Sequence, residues 1–199
     1  MSQPPAIMKP DRLSAFTDGV IAIIITIMAL GLKVPHGDGW AALRPGLPLF
    51  GAYALSFVNV GIFWVNHHHI FHLAKRVDGR VLLANLFLLF WLSLVPFVIR
   101  WVGEADISPK PVAAYGVILT MASIGYLLIE RALIAAEPGP SALDAALGSK
   151  KKEIISFFLY LVAIPLAFVW VWAAVGIYVF NALVWLVPDR RVEQASPGG

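Results

Sequence analysis

One stretch near the start of the chain decides the fold: Arg12-Leu-Ser-Ala-Phe16-Thr17-Asp18-Gly19, followed without a break by Val-Ile-Ala-Ile23-Ile-Ile-Thr26-Ile27-Met-Ala-Leu30. An arginine and an aspartate thus precede a long apolar run that is typical of a membrane helix. A charge at such a position is costly unless it is paired, so both residues are candidates for a functional site. The simpler interpretation stays open: Arg12 contacts lipid headgroups, and Asp18 lies in the first helical turn.

The composition is that of a membrane protein. Hydrophobic residues make up 59% of the 199 residues, charged residues only 14%, and the mean hydropathy is +0.79. A soluble domain carries about 25% charged residues. The chain has no cysteine, which excludes disulfides and thiolate sites. The net charge of +3 reflects membrane topology better than nucleic-acid binding, because Lys and Arg collect in cytoplasmic loops.

Apolar runs of about 20 residues, enough to cross a bilayer, recur along the chain. The last run, residues 154–187, is too long for one span and short for two. Six spans with the N-terminus inside place eleven of the fifteen basic residues on the inner side, whereas five would move Arg190 and Arg191 outside, against the positive-inside bias. We therefore predict an all-α, polytopic membrane protein with cytoplasmic termini. It comprises one domain over residues 1–191, with helices at 13–34, 45–72, 79–102, 111–136, 152–171 and 174–188. We expect residues 1–10 and 192–199 to be disordered.

Polar residues within the apolar runs predict contacts between helices. Asn59, Asn85 and Asn181 are expected to form interhelical hydrogen bonds. Pro96 is expected to kink the third span. Glu130 is expected to pair with its neighbour Arg131 near the membrane surface.

Four histidines end the second run, in Trp64-Val-Asn66-His67-His68-His69-Ile-Phe-His72. His68 and His72 have the i, i+4 spacing of a helical metal pair. No carboxylate accompanies them, so we predict a hydrogen-bonding role, with one histidine bonding Asp18, rather than a metal site. A membrane metalloenzyme that uses these histidines is the less favoured alternative.

The first helix carries the candidate pore residues Ile23, Thr26, Ile27 and Leu30, with Gly19 one turn earlier. These share one face at 3.6 residues per turn. The neighbouring positions are equally apolar, so periodicity alone does not distinguish this stripe from a lipid-facing or packed surface.

The first motif resembles the Arg-x-x-x-Phe-Ser-Asp signature of the transmembrane protein 175 family of potassium channels, with Thr17 in place of serine. Trp64-x-x-His67-His68, Asn85 and Pro96 are similar to later parts of the family pattern. The resemblance implies a homotetramer of six-helix subunits, with the first helix lining a central pore. The pore would narrow at Ile23, followed by Thr26, without a carbonyl selectivity filter. Arg12, Phe16, Thr17, Asp18 and His67 would form the structural network that holds this helix.

The sequence therefore predicts a potassium-selective channel of the cell membrane, a bacterial inner membrane, and not an enzyme. Its expected partners are further copies of the chain, membrane lipid and permeant K⁺, without a cofactor, resident metal or nucleic acid. The alternative is a secondary transporter or proton-coupled carrier that uses Asp18 and the His67–His72 cluster. The broken helices and inverted repeats typical of carriers are not visible in the sequence.

Overall fold

A computed structural model describes residues 8–37, 39–137 and 150–186. Within those ranges the chain is almost entirely helical. Five helical segments are long and apolar enough to span a membrane, and a sixth is an apolar helix of 16 residues. The α-helices are α1 (Pro10–Leu30), α2 (Leu47–Leu73), α3 (Gly79–Ser93), α4 (Val95–Glu104), α5 (Pro109–Ala136), α6 (Lys151–Val169) and α7 (Val171–Leu186), and a 3₁₀-helix at Trp40–Gly46 leads into α2. The prediction of an all-α protein with six membrane helices is confirmed.

The chain is ordered before the predicted start of the first helix. Met8 forms an isolated antiparallel bridge with Val77, and Pro10 opens α1. Proline suits the first helical turn because that turn has no intrahelical partner for an N–H group. The expectation of disorder is therefore wrong for Met8 to Pro10. Residues 1–7 and the predicted tail at 192–199 lie outside the described residues.

The third span is broken, as Pro96 predicts. Helix α3 ends at Ser93 and α4 begins at Val95, so the break at Leu94 lies two residues before the proline. Proline removes a backbone donor and its ring crowds the carbonyl four residues earlier, which interrupts a helix at this distance. Helices α3 and α4 are therefore two parts of one span, Gly79–Glu104.

The ambiguous last run forms a helical hairpin. Trp170 adopts an extended conformation (φ −151°, ψ 91°) between α6 and α7, slightly earlier than the predicted break between helices 152–171 and 174–188. Ser156, near the start of α6, donates to Asn181 at 2.8 Å and accepts from the Trp185 indole at 2.7 Å. The start of α6 thus lies beside the end of α7, so α6 and α7 run antiparallel.

Three contacts join the segments that lie between helices at one end of the bundle, which we call the basic end. Met8 meets Val77 in the α2–α3 connection. The Lys75 backbone N–H, also in that connection, donates to Glu137 after α5, and Lys150 before α6 lies 3.4 Å from Glu130 of α5. Nine Lys and Arg residues of the described ranges belong to this end: Lys9, Arg12, Lys75, Arg76, Arg80, Arg131, Lys150, Lys151 and Lys152.

Helices α3 and α5 approach each other closely at Gly125. A Cβ atom there would lie 2.9 Å from the Leu88 Cα, which is backbone and cannot swing aside. We expect Gly125→Ala to destabilise the folded protein by about 1–3 kcal/mol through overpacking. Gly61→Ala is the control, because a Cβ at Gly61 meets no atom within 4 Å. The measurement is the thermal midpoint of each purified variant in mild detergent. Equal thermal midpoints for Gly125→Ala and Gly61→Ala would show that α3 and α5 can move apart without loss of stability.

Candidate ion pathway and its supporting network

Helix α1 has one face packed in the subunit and one face open. Ile21, Ile24 and Met28 are 3–4% exposed, whereas Ile23 is 60% exposed and Leu30 is 79% exposed. Thr26 and Ile27 lie on the same open face as Ile23. All four residues predicted to line a pore therefore share a surface that the subunit itself leaves uncovered, and we call this surface the open face of α1.

The sequence between Val20 and Leu30 is apolar at nearly every position, so hydropathy could not separate these two faces. Packing separates them, because neighbouring helices cover only one side of α1. Gly19 also lies on the open face, and a Cβ there would meet no atom within 4 Å.

Thr26 places a hydroxyl on this otherwise apolar surface. Its Oγ1 donates to the Ala22 carbonyl at 2.8 Å, one turn back along the helix. Because the proton is used in that bond, the lone pairs of the oxygen stay available to an approaching cation.

A buried polar cluster joins α1 to α2 and α3. The Asn85 amide nitrogen donates to Thr17 Oγ1 at 2.9 Å, and the Asn85 carbonyl oxygen lies 2.9 Å from His67 Nε2. All three side chains are 0% exposed. His67 also stacks on Phe71, with 4.2 Å between the ring centroids. We call Thr17, His67 and Asn85 the tether, because it fixes α1 to two other helices in a region of low dielectric constant.

Asp18 makes a second link between α1 and α2. Its carboxylate accepts from the Trp64 indole N–H at 2.8 Å. The expectation that a histidine would bond Asp18 is wrong, since His67 bonds Asn85 instead. The carboxylate is only half-buried, so a neutral donor is enough to hold it.

The remaining members of the predicted network lie outside the tether. Arg12 and Phe16 are exposed, and no hydrogen bond or salt bridge joins Arg12 to Asp18. The sequence interpretation missed the role of Trp64, and it predicted an interhelical hydrogen bond for Asn85 without identifying Thr17 and His67 as its partners. Trp64 and Asn85 both stood in the motifs that carried the family resemblance, but residue type alone did not show which pairs would meet.

The other histidines are arranged along the exposed side of α2. His68, His69 and His72 are exposed, and the rings of His68 and His72 stack with centroids 6.2 Å apart. Among the residues that the structure describes, no group of three His, Asp or Glu side chains is placed to hold a metal ion.

Asn59 and Asn181 also bond across helices. Asn59 donates to the Tyr115 hydroxyl at 3.3 Å and accepts from Tyr160 at 3.2 Å, while Asn181 accepts from Ser156. Together with the tether, these contacts confirm the prediction that all three asparagines form interhelical bonds. The predicted partner of Glu130 was wrong: Glu130 is 1% exposed and pairs with Lys150, while Arg131 is exposed.

Known proteins resemble this chain over nearly its whole length. It is 50% identical to "Potassium channel HX13_20290" of Chryseobacterium sp. (strain P1-3) over 188 residues. This alignment covers 94% of this chain and 98% of that protein. The family profile described as "Endosomal/lysosomal potassium channel TMEM175" matches residues 12–96. The chain belongs to the TMEM175 family.

A solved structure agrees with this membership. The crystal structure of a lysosomal potassium-selective channel TMEM175 homolog from Chamaesiphon minutus matches with a TM-score of 0.71 and 31% identity, over 92% of this chain and 97% of that one. The human endosomal/lysosomal proton channel TMEM175 is 36% identical over 96 residues, which cover 42% of this chain and 19% of the human protein. TMEM175 proteins are channels rather than enzymes, and this member is a multi-pass membrane protein.

Proposed function

We propose that this TMEM175 protein is a potassium-selective channel whose pore is lined by the open face of α1 from four subunits. One observation carries the proposal. The most exposed apolar face of α1 holds Ile23, Thr26, Ile27 and Leu30, and the tether fixes the opposite face. The relatives that align over most of the chain are named potassium channels, which favours K⁺ as the permeant ion.

The constriction in this proposal is a ring of Ile23 side chains. Four isoleucines that meet on an axis close a pore by excluding water, and a small displacement of the helices reopens it. Selectivity then comes from partial dehydration, because K⁺ loses water more easily than Na⁺. The Thr26 hydroxyls, one turn away, supply replacement oxygens, so backbone carbonyls are not required as a filter.

A single pore helix per subunit requires several copies of the chain around the pore, and we propose four, the number that the family resemblance implies. One α1 cannot enclose a pore, and a cyclic assembly brings identical faces together around an axis. We expect four chains in the native mass of the protein in mild detergent. A mass of one or two chains would contradict the proposed pore.

Ion selectivity tests the proposed function directly. Purified protein in liposomes should pass K⁺ faster than Na⁺ down equal gradients, and protein-free liposomes are the control. A vertebrate relative is named a proton channel, so a pH-sensitive dye inside the liposomes measures H⁺ entry in the same preparation. Proton flux without K⁺ flux would overturn the assignment of the permeant ion.

Thr26→Val tests the hydroxyl ring. The substitution keeps the shape of the side chain and removes the oxygen, so we expect K⁺ flux to fall about tenfold or more while the tetramer stays intact. The loss of one good oxygen contact to a cation corresponds to about 1.5–3 kcal/mol. Thr120→Val is the control, because the Thr120 hydroxyl also bonds a carbonyl one turn back but is buried in α5. Unchanged flux in Thr26→Val would show that this oxygen does not contact the ion.

The orientation of the chain follows from the basic end. Positively charged residues collect on the cytoplasmic side of a bacterial inner membrane, so we place the basic end, and with it both chain termini, in the cytoplasm. The other Lys and Arg residues within the described ranges lie at the opposite end, which we call the outer end: Lys33, Arg44, Arg100 and Lys110.

A further inference from the structure

A deep groove opens at the outer end of the subunit, away from the open face of α1. It has a volume of about 520 Å³ and lies between α2, α4, α5 and α7. Its walls include Leu47, Leu55, Val102 and Val179, and it extends along α2 from Leu47 to Ser56. At 1.5 Å per residue this path is about 14 Å long.

The polar groups at the inner end of the groove are already satisfied. Ser56 donates to the Tyr115 hydroxyl at 3.1 Å, and Tyr178 donates to the Val112 carbonyl at 3.1 Å. Bonded in this way, these groups offer little to a polar ligand, and the groove behaves as an apolar slot.

The mouth of the groove carries a positive charge. Arg44 is the single charged residue among the described residues that line it, and no salt bridge to Arg44 occurs within the described ranges. Trp172, also at the mouth, is 59% exposed. Exposed tryptophans of this kind lie at the headgroup level of a bilayer, which places Arg44 beside lipid phosphates.

We propose that this groove binds an anionic phospholipid, with one acyl chain in the apolar slot and the phosphate on Arg44. The arginine fork binds phosphate with paired, charge-assisted hydrogen bonds. Bulk lipid tails are as apolar as the groove walls, so burial alone gives no preference. The preference comes from the headgroup contact and from the filling of a slot whose walls otherwise lack packing partners.

The chain offers a matched pair of glycines to test the slot. Gly51 and Gly176 are both exposed helical positions where a Cβ meets no atom within 4 Å, but only Gly51 lines the groove. Gly51→Phe therefore fills the slot without a clash at the backbone, and Gly176→Phe adds the same ring elsewhere. Arg44→Gln removes the charge at the exposed mouth.

The measurement is native mass spectrometry of the full-length protein with dioleoylphosphatidylglycerol, dioleoylphosphatidylcholine or glycerol phosphate. We expect the wild type and Gly176→Phe to retain one phosphatidylglycerol per subunit. Gly51→Phe and Arg44→Gln should retain it about tenfold more weakly, which corresponds to 1.4 kcal/mol. The wild type should retain phosphatidylcholine more weakly than phosphatidylglycerol, because the choline cation offsets the phosphate charge beside Arg44.

Three results would overturn the proposal. Equal retention of phosphatidylglycerol by Gly51→Phe and the wild type would place the lipid elsewhere. Equal retention of glycerol phosphate and the full lipid would show a headgroup site without an acyl chain. A change in subunit number in Gly51→Phe would assign the groove to a contact between subunits. The test does not depend on ion conduction, so it stands apart from the proposed channel function.

Discussion

Ile23→Asn is expected to raise the resting K⁺ conductance at least tenfold and to reduce the preference for K⁺ over Na⁺. An amide at each position of the proposed ring binds water, so the constriction can no longer close by excluding it. Hydrated ions then pass without shedding their water, and the difference between K⁺ and Na⁺ shrinks. A tenfold change needs only about 1.4 kcal/mol at the barrier. The measurement is liposome flux of K⁺ and Na⁺ in parallel.

Ile24→Asn is the matched control for that experiment. Ile24 is the next residue on the same helix but is 3% exposed, where Ile23 is 60% exposed. An amide at Ile24 would be buried in the subunit without a hydrogen-bond partner, which lowers the stability of the fold by about 1–3 kcal/mol. We expect a lower yield of folded protein, and an unchanged preference for K⁺ over Na⁺ in the fraction that folds. Similar conductance changes at both positions would reject Ile23 as the gate.

Asn85→Leu is expected to cause the largest loss of stable channel. Leucine has a similar size but leaves the Thr17 hydroxyl and the His67 ring without their shared partner, in a site that is 0% exposed. Each orphaned group costs about 1–3 kcal/mol. Since the tether joins α1 to two other helices, the remaining folded channels should also show disturbed currents. Single-channel recording and the yield of folded tetramer are the two measurements.

Asn181→Leu separates the positioning of α1 from general stability. Asn181 is also buried and bonds Ser156, but between α6 and α7. It should lower the yield of folded protein and leave the currents of the surviving channels normal. If both leucine variants altered the currents alike, the tether would contribute to folding only and not to the position of α1.

The helices were predictable because the bilayer imposes a length on each span. The last run could be divided only by charge, since the break at Trp170 lies in a continuous apolar stretch. The error at Met8 to Pro10 has a different origin. A polar, proline-rich start is typical of disorder, but Met8 finds a backbone partner in Val77, which is distant in sequence.

The site was predictable by residue type and less so by partner. Thr17, Asp18 and His67 were recognised as polar residues near one membrane face, yet Asp18 bonds Trp64 and His67 bonds Asn85. Rotation of one helix by a single position changes which side chains meet, and sequence does not fix that rotation when every neighbour is apolar. For the same reason, the sequence does not distinguish the open face of α1 from its packed face, whereas the burial of Ile24 and Met28 does.

Cysteine accessibility along α1 tests most directly whether its open face lines a water-filled pore rather than facing lipid. The chain has no native cysteine, so each introduced thiol is unique. We expect a charged, water-soluble methanethiosulfonate reagent to block K⁺ current in Ile23→Cys, Thr26→Cys and Leu30→Cys channels. The same reagent should leave Ile21→Cys, Ile24→Cys and Met28→Cys channels unchanged. Block at the second set, or no block at the first, would contradict a pore lined by the open face of α1.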